Sequence, residues 1–153
     1  MYIKEFLEKY SDKKIKLFID MDGVIADYNV GVPSNYDRKR PLYDSLKKLE
    51  EVSNMGNVEM HILSVTRMNE GYEQKNYWLD KFAPFFRKEN RTIISREANG
   101  FEKSSNLKSN FVKNLERTNE SVIIIIDDDP LILKEIAKNN KDIILLKDTA
   151  LVD

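Results

Sequence analysis

Apolar and polar positions along this chain alternate between two periods. Short runs at Ile15–Ile19, Val58–Leu63, Arg91–Ile94, Ser121–Ile126 and Asp142–Leu146 are rich in Ile and Val and read as strands. The run Val122–Ile126 has no polar alternation, the signature of a strand covered on both faces. Between these runs the apolar spacing is helical. Ile3, Phe6, Leu7 and Tyr10 mark a helix ahead of the first strand. Pro41 opens a second, with Leu42, Leu46, Leu49 and Val52 on one face. Tyr77, Trp78, Phe82, Phe85 and Phe86 mark a third that ends near Pro84. Leu107, Phe111, Val112 and Leu115 mark a fourth, and Leu131, Ile132, Ile136 and Ala137 a fifth after Pro130. Strand alternating with helix predicts an α/β fold with a doubly wound, five-stranded parallel sheet, and the length predicts one domain over 1–153.

Composition narrows this picture. A hydrophobic fraction of 41% and a charged fraction of 33% describe a globular chain with a core. The net charge of −1 gives no push toward nucleic acid or acidic membranes. The chain has no cysteine, which excludes disulfides, thiolate metal sites and cysteine nucleophiles and suits a reducing cytoplasm. The N-terminus MYIKEFLEKY lacks the apolar core of a signal peptide, and no apolar run is long enough to span a bilayer.

Doubly wound sheets bind ligands beyond the carboxyl ends of their strands. Asp20 and Asp22 follow the first strand, Ser64 and Thr66 the second, and Asp127, Asp128 and Asp129 the fourth, while Lys108 sits in the first turn of the fourth helix. Crowded carboxylates repel one another, and a hard divalent cation relieves them; Mg²⁺ favours a few carboxylates with waters and a substrate phosphate. His61 is the only histidine, which argues against zinc or copper. A lysine and a serine at the same edge suit the remaining oxygens of a phosphate. The sum is a phosphoryl-transfer site with an aspartate nucleophile.

These residues resemble the haloacid dehalogenase (HAD) superfamily of phosphohydrolases. "DMDGV" at Asp20–Val24 is similar to its first motif, Ser64 closing "MHILS" to the second, Lys108 in "LKSNFVKNL" to the third, and "IIIIDDDP" at Ile123–Pro130 to the acidic fourth. "DMDGVIADYN" together with "KNYWLDKFAP" further resembles small deoxyribonucleotide 5′-nucleotidases. The resemblance implies a strand order of 5-4-1-2-3. It implies that Asp20 attacks phosphorus, and that Asp22 protonates the leaving oxygen and then deprotonates water. It implies Mg²⁺ on Asp20, the Asp22 carbonyl and Asp127, with Asp128 supporting the metal or orienting Lys108. Lys108 and Ser64 would hold phosphoryl oxygens, and Gly23 would let backbone N–H groups approach the phosphate. Thr66 stands as the alternative to Ser64, Lys103 to Lys108, and Asp129 to Asp128.

Each feature also has a plainer reading. Asp-x-Asp-Gly alone can be a calcium loop, but the further ligands and closing Glu of such a loop are missing. "IIIIDDDP" alone can be a strand end and a helix cap. His61 reads as a packed strand residue, Trp78 with Phe82, Phe85 and Phe86 as core, and Arg38, Lys39 and Arg40 as a solvated basic triplet. The stretch Tyr28 to Arg40, with Gly31 and Pro33, is too short for a cap domain, so the site should be open, with Tyr28 and Tyr36 able to stack on a base. Three function classes follow. The first is a Mg²⁺-dependent phosphatase of nucleotides or other phosphomonoesters, with macromolecular phosphates as the alternative. The second is a receiver-like phosphoacceptor module, disfavoured because the third strand ends in Ile94–Ser95 with no Asp. The third is a nucleotide-sugar transferase, which leaves the Asp20–Gly23 stretch unexplained. A phosphorylated small molecule is the expected partner, with no membrane.

Overall fold

The computed structural model describes residues 2–28 and 36–152; Gly31 and Pro33 lie outside them. Five parallel strands, β1 (Lys14–Ile19), β2 (Val58–Thr66), β3 (Arg91–Ser95), β4 (Ser121–Asp127) and β5 (Ile144–Lys147), form one sheet. Its order is β3-β2-β1-β4-β5, the order the resemblance implied. Helices α1 (Ile3–Glu8), α2 (Tyr43–Ser53), α3 (Gly71–Phe82), α4 (Ser104–Lys113) and α5 (Pro130–Asn139) cover its faces. This is an α/β doubly wound fold.

Parallel neighbours need a crossover between them, and the helices supply it. The strand residues serve both faces in turn, as a period of two dictates. Ile15, Leu17 and Ile19 of β1 join Ile124 and Ile126 of β4 in one core with Leu49 of α2 and Trp78 and Leu79 of α3. Phe18, Ile123 and Ile125 face the opposite side, under Val112 of α4 and Ile132 and Ile136 of α5. The isoleucine run of β4 therefore needs no polar alternation, because both of its faces are buried.

Element boundaries differ from the apolar pattern in ways that matter. β2 runs to Thr66, so Ser64 lies within the strand rather than after it. β5 starts at Ile144, two residues later than its apolar pattern begins. α3 stops at Phe82, ahead of Pro84, since the residue before a proline is pushed out of the helical region. α4 starts at Ser104, which puts Lys108 in the second turn rather than the first. His61 stacks on Phe18 with ring centroids 4.4 Å apart, the packed role expected of it.

Candidate functional site

The winding order of the sheet reverses between β1 and β4. β1 leads to β2 on one side, whereas β4 leads to β5 on the other, so their carboxyl ends open a crevice between the diverging crossovers. Register fixes what meets there. Ile19 pairs with Ile126, and the Asp20 N–H donates to the Ile126 carbonyl at 3.0 Å, so Asp20 stands beside Asp127.

Lys108 reaches this pair from α4. Its ammonium donates to Asp20 Oδ1 at 2.9 Å and to Asp127 Oδ2 at 2.6 Å, and all three residues are buried. Burial alone would discharge the lysine, but Asp20 and Asp127 outweigh it and raise its pKa. Lys103, the alternative, lies exposed at the N-terminal boundary of α4.

The acidic run divides its labour. Asp127 Oδ1 accepts the Asp129 N–H at 3.0 Å. Asp129 caps α5, accepting the Leu131 N–H at 2.9 Å, which is the helix-cap reading for this one residue. Asp128 turns inward instead: one oxygen each from Asp20, Asp127 and Asp128 lie within 4.8 Å of one another. Burial raises the pKa of all three acids, and the neighbouring carboxylates push Asp20 and Asp128 up further. Three hard oxygen donors that resist ionising side by side are what a divalent cation relieves, so the donor set fits Mg²⁺.

Gly23 closes the turn after β1 with φ +78°. A Cβ there would stand 2.2 Å from Asp128 Oδ2 and 2.6 Å from Tyr28 Cε2. Its N–H donates to the Ala26 carbonyl at 2.7 Å. The missing side chain thus lets the turn pack directly on Asp128. Tyr28 lies across this turn and donates its hydroxyl to Asp128 Oδ2 at 2.6 Å. Burial and that bond hold the hydroxyl protonated well above its ordinary range.

The second half of the site comes from the other face of the sheet. Lys75 of α3 is buried and donates to Ser64 Oγ at 2.7 Å, to the Val65 carbonyl at 2.9 Å and to Asp22 Oδ2 at 3.3 Å. Lys39 also donates to Asp22. Burial raises the Asp22 pKa, but the two ammoniums outweigh it and hold the carboxyl below its usual range. Tyr36 lies beneath both, its ring centroid 4.7 Å from the Lys39 ammonium and 5.1 Å from that of Lys75. Trp78 fixes this loop from α3, donating its indole N–H to the Lys39 carbonyl at 3.0 Å and meeting Tyr36 edge-on. Lys39 is therefore an inward residue and not part of a solvated triplet, because Trp78 turns its backbone toward Asp22. Thr66, the alternative to Ser64, packs against Gly71 at the start of α3, where a Cβ would come within 1.8 Å of its hydroxyl.

Lys75 is not among the residues that the motifs single out, yet the sequence carries a signal for it. Gly71, Lys75, Trp78 and Leu79 recur at helical spacing on the buried face of α3. A lysine in such a stripe needs a buried anion, and Asp22 is that anion. Lys39 carries no comparable signal.

No protein-family model matches the chain, and no curated protein matches it by sequence. Among solved structures, a chain of the Pnkp1/Rnl/Hen1 RNA repair complex is similar, with a TM-score of 0.67 and 15% identity over 88% of this chain and 42% of that one. A chain from a second structure of the Pnkp1/Rnl/Hen1 complex gives a TM-score of 0.68 and 15% identity over 88% of this chain and 46% of that one. This chain thus spans less than half the length of the chains it resembles. No helix among the described residues is long and apolar enough to cross a membrane. At that identity the likeness shows a shared fold, a doubly wound α/β sheet.

Proposed function

We propose that this protein is a Mg²⁺-dependent phosphomonoester hydrolase of the HAD type that works through a phospho-aspartate on Asp20, with nucleotides as its first substrate class. The observation that carries this reading is Asp20 itself: a buried carboxylate held by Lys108 and grouped with Asp127 and Asp128 where the winding of the sheet reverses.

The chemistry follows from the residues. An Asp20 oxygen attacks phosphorus, and the bond from phosphorus to the leaving oxygen breaks. Asp22 gives that oxygen a proton, then takes one from the water that attacks the acyl phosphate, which returns Asp20 and releases inorganic phosphate. In the free protein Asp22 is held ionised by Lys39 and Lys75. A phosphate competes for those ammoniums, and drawing them off lets Asp22 hold the proton it must deliver. Lys75 and Ser64 then bind phosphoryl oxygens, while Lys108 keeps Asp20 and Asp127 from repelling each other. Magnesium, held by Asp20, Asp127 and Asp128, would neutralise carboxylate and phosphate charge.

The likeness to chains of an RNA repair complex favours a second reading, in which the phosphate sits on a nucleic-acid end. The receiver-like reading lacks an aspartate at the end of β3, which stops at Ser95.

The test is hydrolysis of an aryl phosphate with and without chelator, followed by mapping of the trapped phosphoenzyme. We expect loss of turnover in chelator and a covalent phosphate on Asp20. Phosphate mapped to Asp127 would return the receiver-like reading, and full activity in chelator would remove the metal.

A further inference from the structure

Two ammoniums bond Asp22, and two hydroxyls stand beside those ammoniums. Lys39 donates to Asp22 Oδ1 and Lys75 to Oδ2, so each oxygen of the carboxylate already has a cation. Lys75 uses its other two protons on Ser64 Oγ and the Val65 carbonyl. Ser64 is buried and accepts that proton, and no acceptor among the described residues takes its own. The cluster therefore holds more donors than Asp22 uses.

Tyr36 is the member with no partner at all. It is 7% exposed, and its hydroxyl oxygen is buried without a hydrogen bond among the described residues. Buried polar groups are bonded with few exceptions, and each exception asks for a cause. The ring is not free to turn toward another partner. It meets Trp78 edge-on with centroids 6.0 Å apart, and the Lys39 and Lys75 ammoniums lie against it. The surroundings fix where the hydroxyl faces. Burial raises its pKa well above the ordinary value, and Asp22, Asp20 and Tyr28 raise it further. All three are crevice residues, so the hydroxyl is aimed into the crevice, near Asp22 but not aligned on it.

An anion with more acceptor oxygens than a carboxylate would engage the surplus donors. A phosphoryl group presents three terminal oxygens. Drawing the two ammoniums off Asp22 would uncover the hydroxyl beneath them. The Lys39 carbonyl is held by the Trp78 indole at 3.0 Å, so its side chain can move while its backbone stays. We propose that Tyr36 is a substrate-binding residue whose hydroxyl donates to a terminal oxygen of the phosphoryl group that Lys75 and Ser64 hold. The proposal rests on the phosphatase reading of the crevice and adds to it a residue that no motif of the sequence marks.

The experiment compares wild type with Tyr36→Phe, which keeps the ring against Trp78 and the ammoniums and removes only the unpartnered oxygen. Three quantities are read on the full chain: the urea midpoint without ligand, the Kd of inorganic phosphate by calorimetry with Mg²⁺, and kcat/KM on an aryl phosphate. We expect the midpoint to stay or rise, since no bond of the free protein is lost. Kd should rise and kcat/KM should fall, each by roughly 10–100-fold, the weight of one hydrogen bond to a charged group. An unchanged Kd or an unchanged kcat/KM would overturn the proposal. So would a raised Kd accompanied by a lowered midpoint, because the hydroxyl would then be holding Asp22 in the free protein. If wild type hydrolyses no phosphate ester but binds phosphate, and Tyr36→Phe weakens that binding, the phosphatase reading falls and the Tyr36 contact stands. If wild type neither hydrolyses nor binds phosphate, both fall.

Discussion

Lys108 and Lys75 enter the same crevice from opposite faces of the sheet, and they meet different company. Lys108, from α4, bonds two buried carboxylates, Asp20 and Asp127. Lys75, from α3, bonds one half-buried carboxylate, a hydroxyl and a carbonyl. The pKa directions follow. Anions outweigh burial at Lys108 and raise it, whereas burial outweighs Asp22 at Lys75 and lowers it. An ammonium compensated by two anions is a fixed counterion. One whose burial is only partly compensated gains by meeting a further anion, and a phosphate is such an anion. Two buried lysines beside the same cluster of acids can therefore serve different ends. On the phosphatase reading proposed above, Lys108 would hold the acids together and Lys75 would take a phosphate oxygen.

The largest effects should come from the acids that the two lysines hold. Asp20→Asn should reduce turnover below detection and abolish covalent phosphorylation, because an amide is a poor nucleophile. Asp22→Asn should still form the phosphoenzyme but slow turnover by roughly 10²–10⁴-fold, with a smaller defect on aryl phosphates whose leaving groups need no proton. Equal losses on alkyl and aryl substrates would deny Asp22 its acid role.

Removing the lysines themselves tests the contrast directly. Lys108→Met leaves Asp20 and Asp127 buried without a counterion and should cost about 3–5 kcal/mol of stability in urea unfolding. Lys75→Met leaves Asp22 with Lys39 and strands mainly the Ser64 hydroxyl, so it should cost only about 1–2 kcal/mol. Its main effect should be a KM for phosphate esters raised at least about tenfold, the weight of one charged hydrogen bond. If Lys75→Met destabilises as much as Lys108→Met, the two lysines do not differ in role as their surroundings imply.

The smallest effect lies away from the crevice. Burial on Phe18 lowers the His61 pKa from its ordinary 6.5, and Glu59, bonded at 2.5 Å, offsets only part of this. The unfolded chain then binds the proton more readily than the folded one. Stability should fall as the pH drops from about 7 to 5, by no more than about 1 kcal/mol because the ring is partly exposed. His61→Phe should flatten that part of the profile of Tm against pH. A profile that keeps its slope would assign the acid sensitivity to other groups.

Some of this molecule is legible in its residues. The period-two and continuous apolar runs predict five strands, and the helical spacing between them predicts the doubly wound sheet, because burial of both sheet faces demands that alternation. The Asp20–Gly23 turn and the acidic run are visible as charges placed where strands end, and Lys108 as a charge near the start of a helix. The assignment of Asp128 to the cluster and of Asp129 to the cap of α5 is not visible, since consecutive aspartates look alike until the strand and helix fix where each points. Lys75 is concealed as one more lysine in a helix, although its apolar neighbours at helical spacing mark its face. Lys39 is hidden more deeply. Its approach to Asp22 depends on an indole N–H from Trp78, 39 residues further along, and no local pattern encodes a contact of that range. Residue order by itself determined the elements, the faces they bury and which side chains can carry charge. The tertiary structure alone decided which charges meet, because that depends on strand register, on the reversal of winding between β1 and β4, and on helices arriving from two sides of one sheet.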